Sequence, residues 1–592
     1  MGGKTLEKLT VIEREIISHI DANQLMDYNR EIAKEVRLSG TEEELRAFKF
    51  AQKTLESFGL ETELSFHEAY ISLPRKASLK IGDIDVPCIT HSMAPSTKEG
   101  GLLGESVYIG DYSDDKLSLC KGKICVIEGI ASPEVIAKLS GAGTLAAIFI
   151  NGPYTHEMIV STVWGSPTAE NISQTPKIPV VSVNDDSGEI LKKLIAEGKS
   201  QVELHTEVET KWTAIPTLIA DIKGEEEPEH FVLFSGHIDS WHYGAMDNGS
   251  ANATMLEVAR VLSKYKEQLK RSIRLAFWSG HSHGRYAGSQ AYCDQHWEDI
   301  HENCVMHFYV DSVGGKGATI LSESNCMSET KDIASLYVKE LAGQDYIGSR
   351  YGKYADQSFW GAGVPSLYMG MSEQRLSNDP MSQKVFQVFA GKEAGGFGWW
   401  WHTVEDTIDK IDPANLKRDC EIYALSIYKV LTDPIVPINQ LAAVQEIKVT
   451  IKKYQETAGD KVNLDLTLER LNELEEIIMK VQSTLPTSGP LVEDQKEINK
   501  RIMAISRSLV PLNYVSNDLF EHDPAVGLLP VPSLSSINRM ASLEKGTHEY
   551  YLLNTSINRQ VNKVNYLLKN ALKEAHNLLT FNKKRRGNYV GN

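Results

Sequence analysis

A histidine and an aspartate that a strand and a loop bring to one place can hold a divalent metal ion. The segment Phe234-Ser-Gly-His237-Ile-Asp239-Ser-Trp-His-Tyr-Gly-Ala-Met-Asp247-Asn-Gly-Ser has that form. An apolar run delivers His237, a loop containing Gly244 follows, and Asp247 arrives just before a helix predicted to begin near Ser250. Asp239, two residues after His237, is spaced to orient the imidazole through its second ring nitrogen. Two further pieces offer ligands of the same kind. Met306-His-Phe-Tyr-Val-Asp311 puts a carboxylate directly after an apolar run, and Trp399-Trp-Trp-His402-Thr-Val-Glu-Asp406 places another imidazole in a loop. Singly, each has a plain reading as a turn-capping aspartate or a packed histidine; together they make a ligand set.

A second kind of chemistry is offered by Phe277-Trp-Ser-Gly-His281-Ser282-His283-Gly-Arg285-Tyr286-Ala-Gly-Ser289. With an ordinary pKa of about 6.5, a neutral imidazole serves either as a metal ligand or as a general base. His281 and His283 lie two apart, so a strand would aim both at one face and a turn would not. Arg285 suits an anionic substrate group, and Tyr286 and Tyr354 suit a developing oxyanion. Packing and surface salt bridges are the plain alternatives for all three.

The elements that must position these groups are legible in outline. Residues from about 10 to 62 carry helical spacing, with Gly59 as a helix stop, and strand-like text follows at 61–66 and 78–81. Between about 213 and 433, apolar runs at 217–222, 230–235, 273–278 and 306–310 alternate with helical text such as 251–265. Such alternation predicts an α/β fold with a mostly parallel sheet flanked by helices and ligands at the carboxyl ends of the strands. Residues 85–205 have their own rhythm of short strands and helices, and beyond Pro434 the text is helical, with amphipathic segments near 440–457, 465–483, 491–508 and 546–580. The expected division is a catalytic domain over 1–84 plus 206–433, an insert over 85–205 and a helical domain over 434–592.

The order His-x-Asp, Gly-Ala-x-Asp-Asn-Gly-Ser, an apolar run ending in Phe-Trp, Asp-x-Val-Gly and His-Thr-x-x-Asp-Thr resembles the M28 metallopeptidases. The text of 85–205 looks like a protease-associated insert, and with the helical tail it matches the layout of the glutamate-carboxypeptidase and transferrin-receptor-like members. The resemblance implies a zinc-aminopeptidase-like fold and one ion held by His237, Asp247 and Asp311. Asp247 would bridge to a second ion held by His402, and the helical domain would form a homodimer. Zinc is the implied cofactor, with manganese or iron as alternatives and one or two ions. Family members follow Phe-Trp with a Glu-Glu pair, the first activating water and the second ligating metal. Here both carboxylates are missing. Direct alignment puts His281 in the place of the base and Ser282 in that of the ligand, whereas a one-residue shift counted from Gly288-Ser289 puts His283 in the ligand position.

The centre is therefore either retuned or abandoned, and the intact His237, Asp239, Asp247, Asp311 and His402 favour retuning. The expected function is a metal-dependent hydrolase acting on an amide or comparable carbonyl bond of a small polar substrate or short peptide. The alternatives are a hydrolase that opens a carbon-carbon or cyclic carbonyl bond, and a catalytically silent scaffold.

Bulk properties bound these readings. At 592 residues the chain exceeds one hydrophobic core. A net charge of −17 disfavours nucleic acid and anionic lipid as partners. The basic run Lys583-Lys584-Arg585-Arg586 reads as a disordered, solubilising tail. Seven cysteines without a CxxC pair read as reduced thiols, and with no apolar leader or apolar run of membrane-spanning length the expected location is cytoplasmic. No GxGxxG or P-loop spacing suggests a nucleotide cofactor.

Overall fold

The computed structural model describes residues 8–376, 393–485 and 491–590. Its opening helices follow their local signals. In Glu42–Ser57, the Thr41 hydroxyl accepts the Glu44 N–H, three glutamates fill the first turn, and Ala47, Phe48, Ala51 and Leu55 form the buried face. Gly59 takes a left-handed φ of 82° just past the end, where a side chain would be strained.

Twelve strands run in chain order: β1 Thr62–Ile81, β2 Ile84–Val86, β3 Ile89–Thr90, β4 Leu102–Gly110, β5 Ile124–Glu128, β6 Ala146–Ile150, β7 Val180–Val183, β8 Gln201–Ile222, β9 Glu227–His237, β10 Arg271–Trp278, β11 Cys304–Tyr309 and β12 Ser366–Leu367. Their order is β12-β11-β9-β10-β8-β4-β5-β6-β7-β3, with β1 along β8 and β2 beside β1. Strands β10, β9, β11 and β12 are mutually parallel, and β8 closes their edge antiparallel to β10. In a second parallel run, β4 to β7, the flanking strands β8 and β3 are both reversed. This is the expected mixed α/β class with flanking helices and a helical C-terminal region.

Helix Ala251–Leu262 is buried at every position but Arg260, covering one face of the parallel strands as their continuous apolar text demands. Strands β1 and β8 are longer than the sequence pattern suggested. They pair antiparallel along almost their whole length, and Pro74, which has no N–H to give to a ladder, falls where the register shifts.

The C-terminal helices Gln440–Ala458, Asp465–Thr484, Val492–Tyr514 and His548–Val590 sit close to their expected positions. The tail reading is corrected: the last helix continues through Lys583–Arg586. Leu578 and Asn582 are buried, and the Asn582 amide donates to Thr484 Oγ1 at 3.2 Å, so apolar packing and a hydrogen bond hold the segment down.

One buried knot ties this helical region to the foot of the parallel strands. Glu227 at the start of β9 accepts from Arg271 of β10 at 2.9 Å and from the Asn499 amide at 3.0 Å. Arg271 also donates to the carbonyls of Val430, Asp433 and Pro434, and Asn499 Oδ1 accepts the Val436 N–H.

The cysteine reading is corrected in part. Cys120 and Cys125 pair as a disulfide with Cα atoms 5.8 Å apart, a proximity created by the turn into β5 rather than by a recognisable spacing. The other five are free thiols, four of them buried. Among the described residues, no helix is long and apolar enough to cross a membrane.

Candidate metal centre and active site

The carboxyl ends of β9, β10 and β11 converge, and each delivers one piece of the site. His237 is the last residue of β9 and fully buried. Its Nδ1 donates to the backbone carbonyl of Asp239 at 2.9 Å, which leaves Nε2 as the lone-pair nitrogen. That Nε2 lies 3.3 Å from Asp247 Oδ1 and 3.4 Å from Asp311 Oδ2, and it has no hydrogen-bond partner.

A lone pair facing two carboxylates is repulsive unless a cation stands between them. Three donors about 2.0–2.1 Å from a tetrahedral ion lie about 3.3–3.4 Å from one another, so the spacing and the nitrogen-plus-oxygen chemistry both fit a divalent metal. The electrostatics agree. Burial alone would push the His237 imidazole down, yet the carboxylates of Asp239, Asp247 and Asp311 outweigh it and favour positive charge there.

Asp247 is shared. Its second oxygen lies 3.0 Å from His402 Nε2, while the other faces His237, as a bridging carboxylate would. Asp406 fixes its loop, accepting the backbone N–H groups of Met246 at 2.9 Å and Asp247 at 3.0 Å. Burial raises the Asp406 carboxyl to about 7, with the Asp247 charge adding to the rise. His402 sits at a left-handed φ of 59°. Its Nδ1 donates to the Glu157 carbonyl at 2.7 Å, and Trp241 Nε1 donates to its Nε2 at 3.2 Å. Asp311 follows β11 and accepts from the hydroxyls of Tyr309 and Ser312, each at 3.0 Å.

The His-Ser-His segment turns sharply after β10, and its members part company. His281 stacks on His237 with ring centroids 3.7 Å apart and planes 6° apart. Its Nδ1 donates to Asp356 Oδ2 at 2.7 Å, and Asp356 is also held by the Ser289 hydroxyl at 2.7 Å. Burial would raise the Asp356 carboxyl, but the imidazole's charge and hydrogen bond hold it below its ordinary range. His237, His281 and Asp311 each offer an atom within 4.8 Å of the others. His281 thus joins the group.

His283 does not, which corrects its assignment as ligand or base. Its ring lies against Trp241, its Nδ1 accepts from the Ser39 N–H at 3.4 Å, and burial lowers the imidazole to about 4. A turn, not a strand, carries the pair, so residues two apart face different ways. Ser282 lines the cleft with its hydroxyl unpartnered.

The role expected of Asp239 also shifts. Its backbone carbonyl, rather than its carboxylate, takes the closer bond from His237. The carboxylate, 3.4 Å from His237 Nδ1, also accepts the N–H groups of His281 at 3.3 Å and Ser282 at 2.8 Å and the Ser39 hydroxyl at 2.6 Å. It anchors the segment that departs from the family pattern.

Arg285, Tyr286 and Tyr354 all line the same cleft, and Trp401 is the tryptophan of its triplet that does so. Tyr286 is buried edge-on against Trp164, and Tyr354 is half-exposed with its hydroxyl 3.4 Å from Glu134. Sequence reasoning missed the partnering roles of Asp356, Asp406 and Glu157. Asp406 stands in a motif already quoted and Asp356 lies two residues after Tyr354, but nothing in their spacing says what they hold.

Residues 217–426 match the profile of peptidase family M28. A probable glutamate carboxypeptidase of Zea mays is 25% identical over 297 residues, covering 48% of this chain and 40% of that protein. One of Arabidopsis thaliana is 20% identical over 610 residues, covering 86% and 83%. The structure of a zinc aminopeptidase from Bacillus subtilis superposes with a TM-score of 0.52 at 21% identity, covering 70% of this chain and 96% of that one.

Proposed function

Residues 217–426 form a peptidase family M28 domain, and from that premise we propose that the chain is a metal-dependent hydrolase of an amide or comparable carbonyl bond, in which His281 backed by Asp356 is the base. The observation that carries this reading is the 2.7 Å bond from His281 Nδ1 to the buried Asp356 carboxylate. It commits one ring nitrogen and leaves Nε2 for a proton of the attacking water, while the carboxylate stabilises the imidazolium that forms. The same imidazole can then give that proton to a departing amine.

His237, Asp247 and Asp311 would hold one divalent ion, and Asp247 with His402 would contribute to a second. Zinc is the first choice, in keeping with the zinc aminopeptidase named above. A bound ion supplies Lewis acidity, polarising the carbonyl and acidifying water. Tyr309, donating to Asp311, and Asp406, gripping the Asp247 loop, keep the ligands in place. Residues of 85–205 form one wall of the cleft, and a homodimer through the helical region completes the proposal.

Elemental analysis of protein purified without chelator tests it. About one or two equivalents of metal, lost in His237→Ala, are expected. His281→Ala and Asp356→Asn should keep the metal and lose hydrolysis of aminoacyl and acyl-amide substrates. No metal in the wild-type protein, even after reconstitution with zinc, manganese or iron, would overturn the reading, and metal loss in His281→Ala would make His281 a ligand instead of the base.

A further inference from the structure

Among the described residues four arginines are almost or wholly buried, and three of them are well supplied with acceptors. Arg37 donates to the carbonyls of Ile238, Glu35, Tyr243 and Gly244. Arg507 donates to those of His301, Gly363 and Cys304, and Arg271 has three carbonyls and Glu227. Arg285 is the exception. At 5% exposure it has a single acceptor among the described residues, the Ala525 carbonyl, which takes a bond from Nη2 at 2.6 Å. Among the described residues its Nε has no partner and no carboxylate lies within ion-pair distance of it. A buried guanidinium left unpaired is unfavourable, and an anion supplied from outside would relieve it.

The position of Arg285 says where that anion comes from. It lines the cleft together with Asp247, Asp311, His281 and His402. Arg285 and Tyr286 hold left-handed φ values of 42° and 66°, a conformation uncommon for residues with side chains and found at sites that must aim a group. The guanidinium lies 4.9 Å from the Tyr286 ring, which covers one side of it. The Ala525 carbonyl that steadies it belongs to a segment braced in turn, because the Ala525 N–H donates to the Thr162 carbonyl and Trp164 Nε1 to that of Asp523. Beside these polar groups the cleft is lined by apolar and aromatic side chains, including Met158, Ile159, Met369, Phe397 and Trp401. Glu134, a carboxylate on the rim, is engaged by the Gly527 N–H and the Tyr354 hydroxyl.

We propose that this cleft takes a substrate with an apolar or aromatic body carrying a carboxylate, which Arg285 holds while the scissile carbonyl lies at the His237-Asp247-Asp311 group. This rests on the hydrolase reading for the bond broken, but not for the anion bound. It narrows the expected small polar substrate to one that is polar at one end. A carboxylate suits a single fork of N–H donors.

The test is isothermal titration calorimetry of phenylacetate against phenylacetamide, which has nearly the same shape without the charge. It is run on wild-type protein, Arg285→Met and Arg285→Lys, each with metal content measured, and repeated after chelation so that binding to the metal is separated from binding to the arginine. Phenylacetate should bind roughly tenfold or more tightly than the amide, before and after chelation, as a charge-assisted hydrogen bond predicts. The preference should vanish in Arg285→Met and persist in reduced form in Arg285→Lys, with metal content unchanged. Equal or absent binding of the two probes to wild type overturns the proposal. So does a preference that survives in Arg285→Met or is lost on chelation, and so does phenylphosphonate binding more tightly than phenylacetate. Should Arg285→Met melt early, the lysine variant and the chelation arm still decide. An arginine-dependent preference in protein that binds no metal would retain the anion site and remove the hydrolase reading.

Discussion

Replacing Glu227 with alanine tests what fastens the helical region to the sheet. The carboxylate is buried between Arg271 and Asn499, at 2.9 and 3.0 Å. Removing one partner of such a buried pair costs about 3–5 kcal/mol, because the other charge is left behind. Arg271 keeps the carbonyls of Val430, Asp433 and Pro434, so the lower end applies, about 3 kcal/mol or roughly a hundredfold in an opening equilibrium. Glu227→Gln keeps the shape and loses the charge, and should cost about half as much. A chain of several domains need not unfold in one step, so the assay is hydrogen exchange of the β9 and β10 amides followed by mass spectrometry. A loss below about 1 kcal/mol in the alanine variant would refute the reasoning and show that the three carbonyls suffice for Arg271.

The same residue gives a pH dependence. Burial would raise the Glu227 carboxyl, but the His230 hydrogen bond, the Arg271 charge and the Asn499 amide hold it below its ordinary value. Its stabilisation is therefore complete above the unfolded pKa of about 4.3 and fades as pH falls through the lower folded value, so the wild-type advantage over Glu227→Gln in urea melts should disappear on acidification below about pH 4. Asp406→Ala should weaken metal binding by about 10–100-fold in competition titrations with a chromogenic chelator while leaving the α/β fold intact by circular dichroism, because it releases the two N–H groups that set Asp247. Burial raises the Cys304 thiol to about 12 and the Cys326 thiol to about 11. The five free thiols should react with Ellman's reagent far more slowly than glutathione at pH 8 and be counted as five only after unfolding. Rapid native labelling of four or more would contradict the packing described.

Much of the fold was legible because its signals are local. The apolar text of β9, β10 and β11 could only be buried strands, and the cap and apolar period of Glu42–Ser57 and the apolar periods of the C-terminal helices needed no tertiary help. The ligand candidates His237, Asp247, Asp311 and His402 were legible for a related reason, since each stands where a predicted strand or loop ends. What escaped the sequence is relational. His281 and His283 are the same residue type in one turn, and only the turn's direction sends one onto His237 and the other onto Trp241. Asp239 was assigned to its neighbour His237 by proximity in sequence, and its carboxylate serves in addition a segment about forty residues away. Asp356 lies two residues after Tyr354, which was picked out for its chemistry, but that its partner is His281 follows from the fold alone. Arg585 and its neighbours read as tail because charge is local information, whereas the packing of Leu578 on a helix a hundred residues earlier is not.

The hydrogen bonds between 156–157 and 401–402 have a consequence for how this protein can be taken apart. The Glu157 carbonyl holds His402 Nδ1, the His402 carbonyl receives the Glu157 N–H, and His156 Nδ1 lies 2.6 Å from the Trp401 carbonyl. A segment that reads in sequence as an interchangeable insertion thus sets the tautomer of an imidazole at the centre. Deleting it, or grafting it from a relative, would exchange a wall and at the same time untie His402. Any swing of that segment away from the cleft would also pull on the 398–406 loop, so admission of a bulky molecule and grip on a metal ion are mechanically one motion.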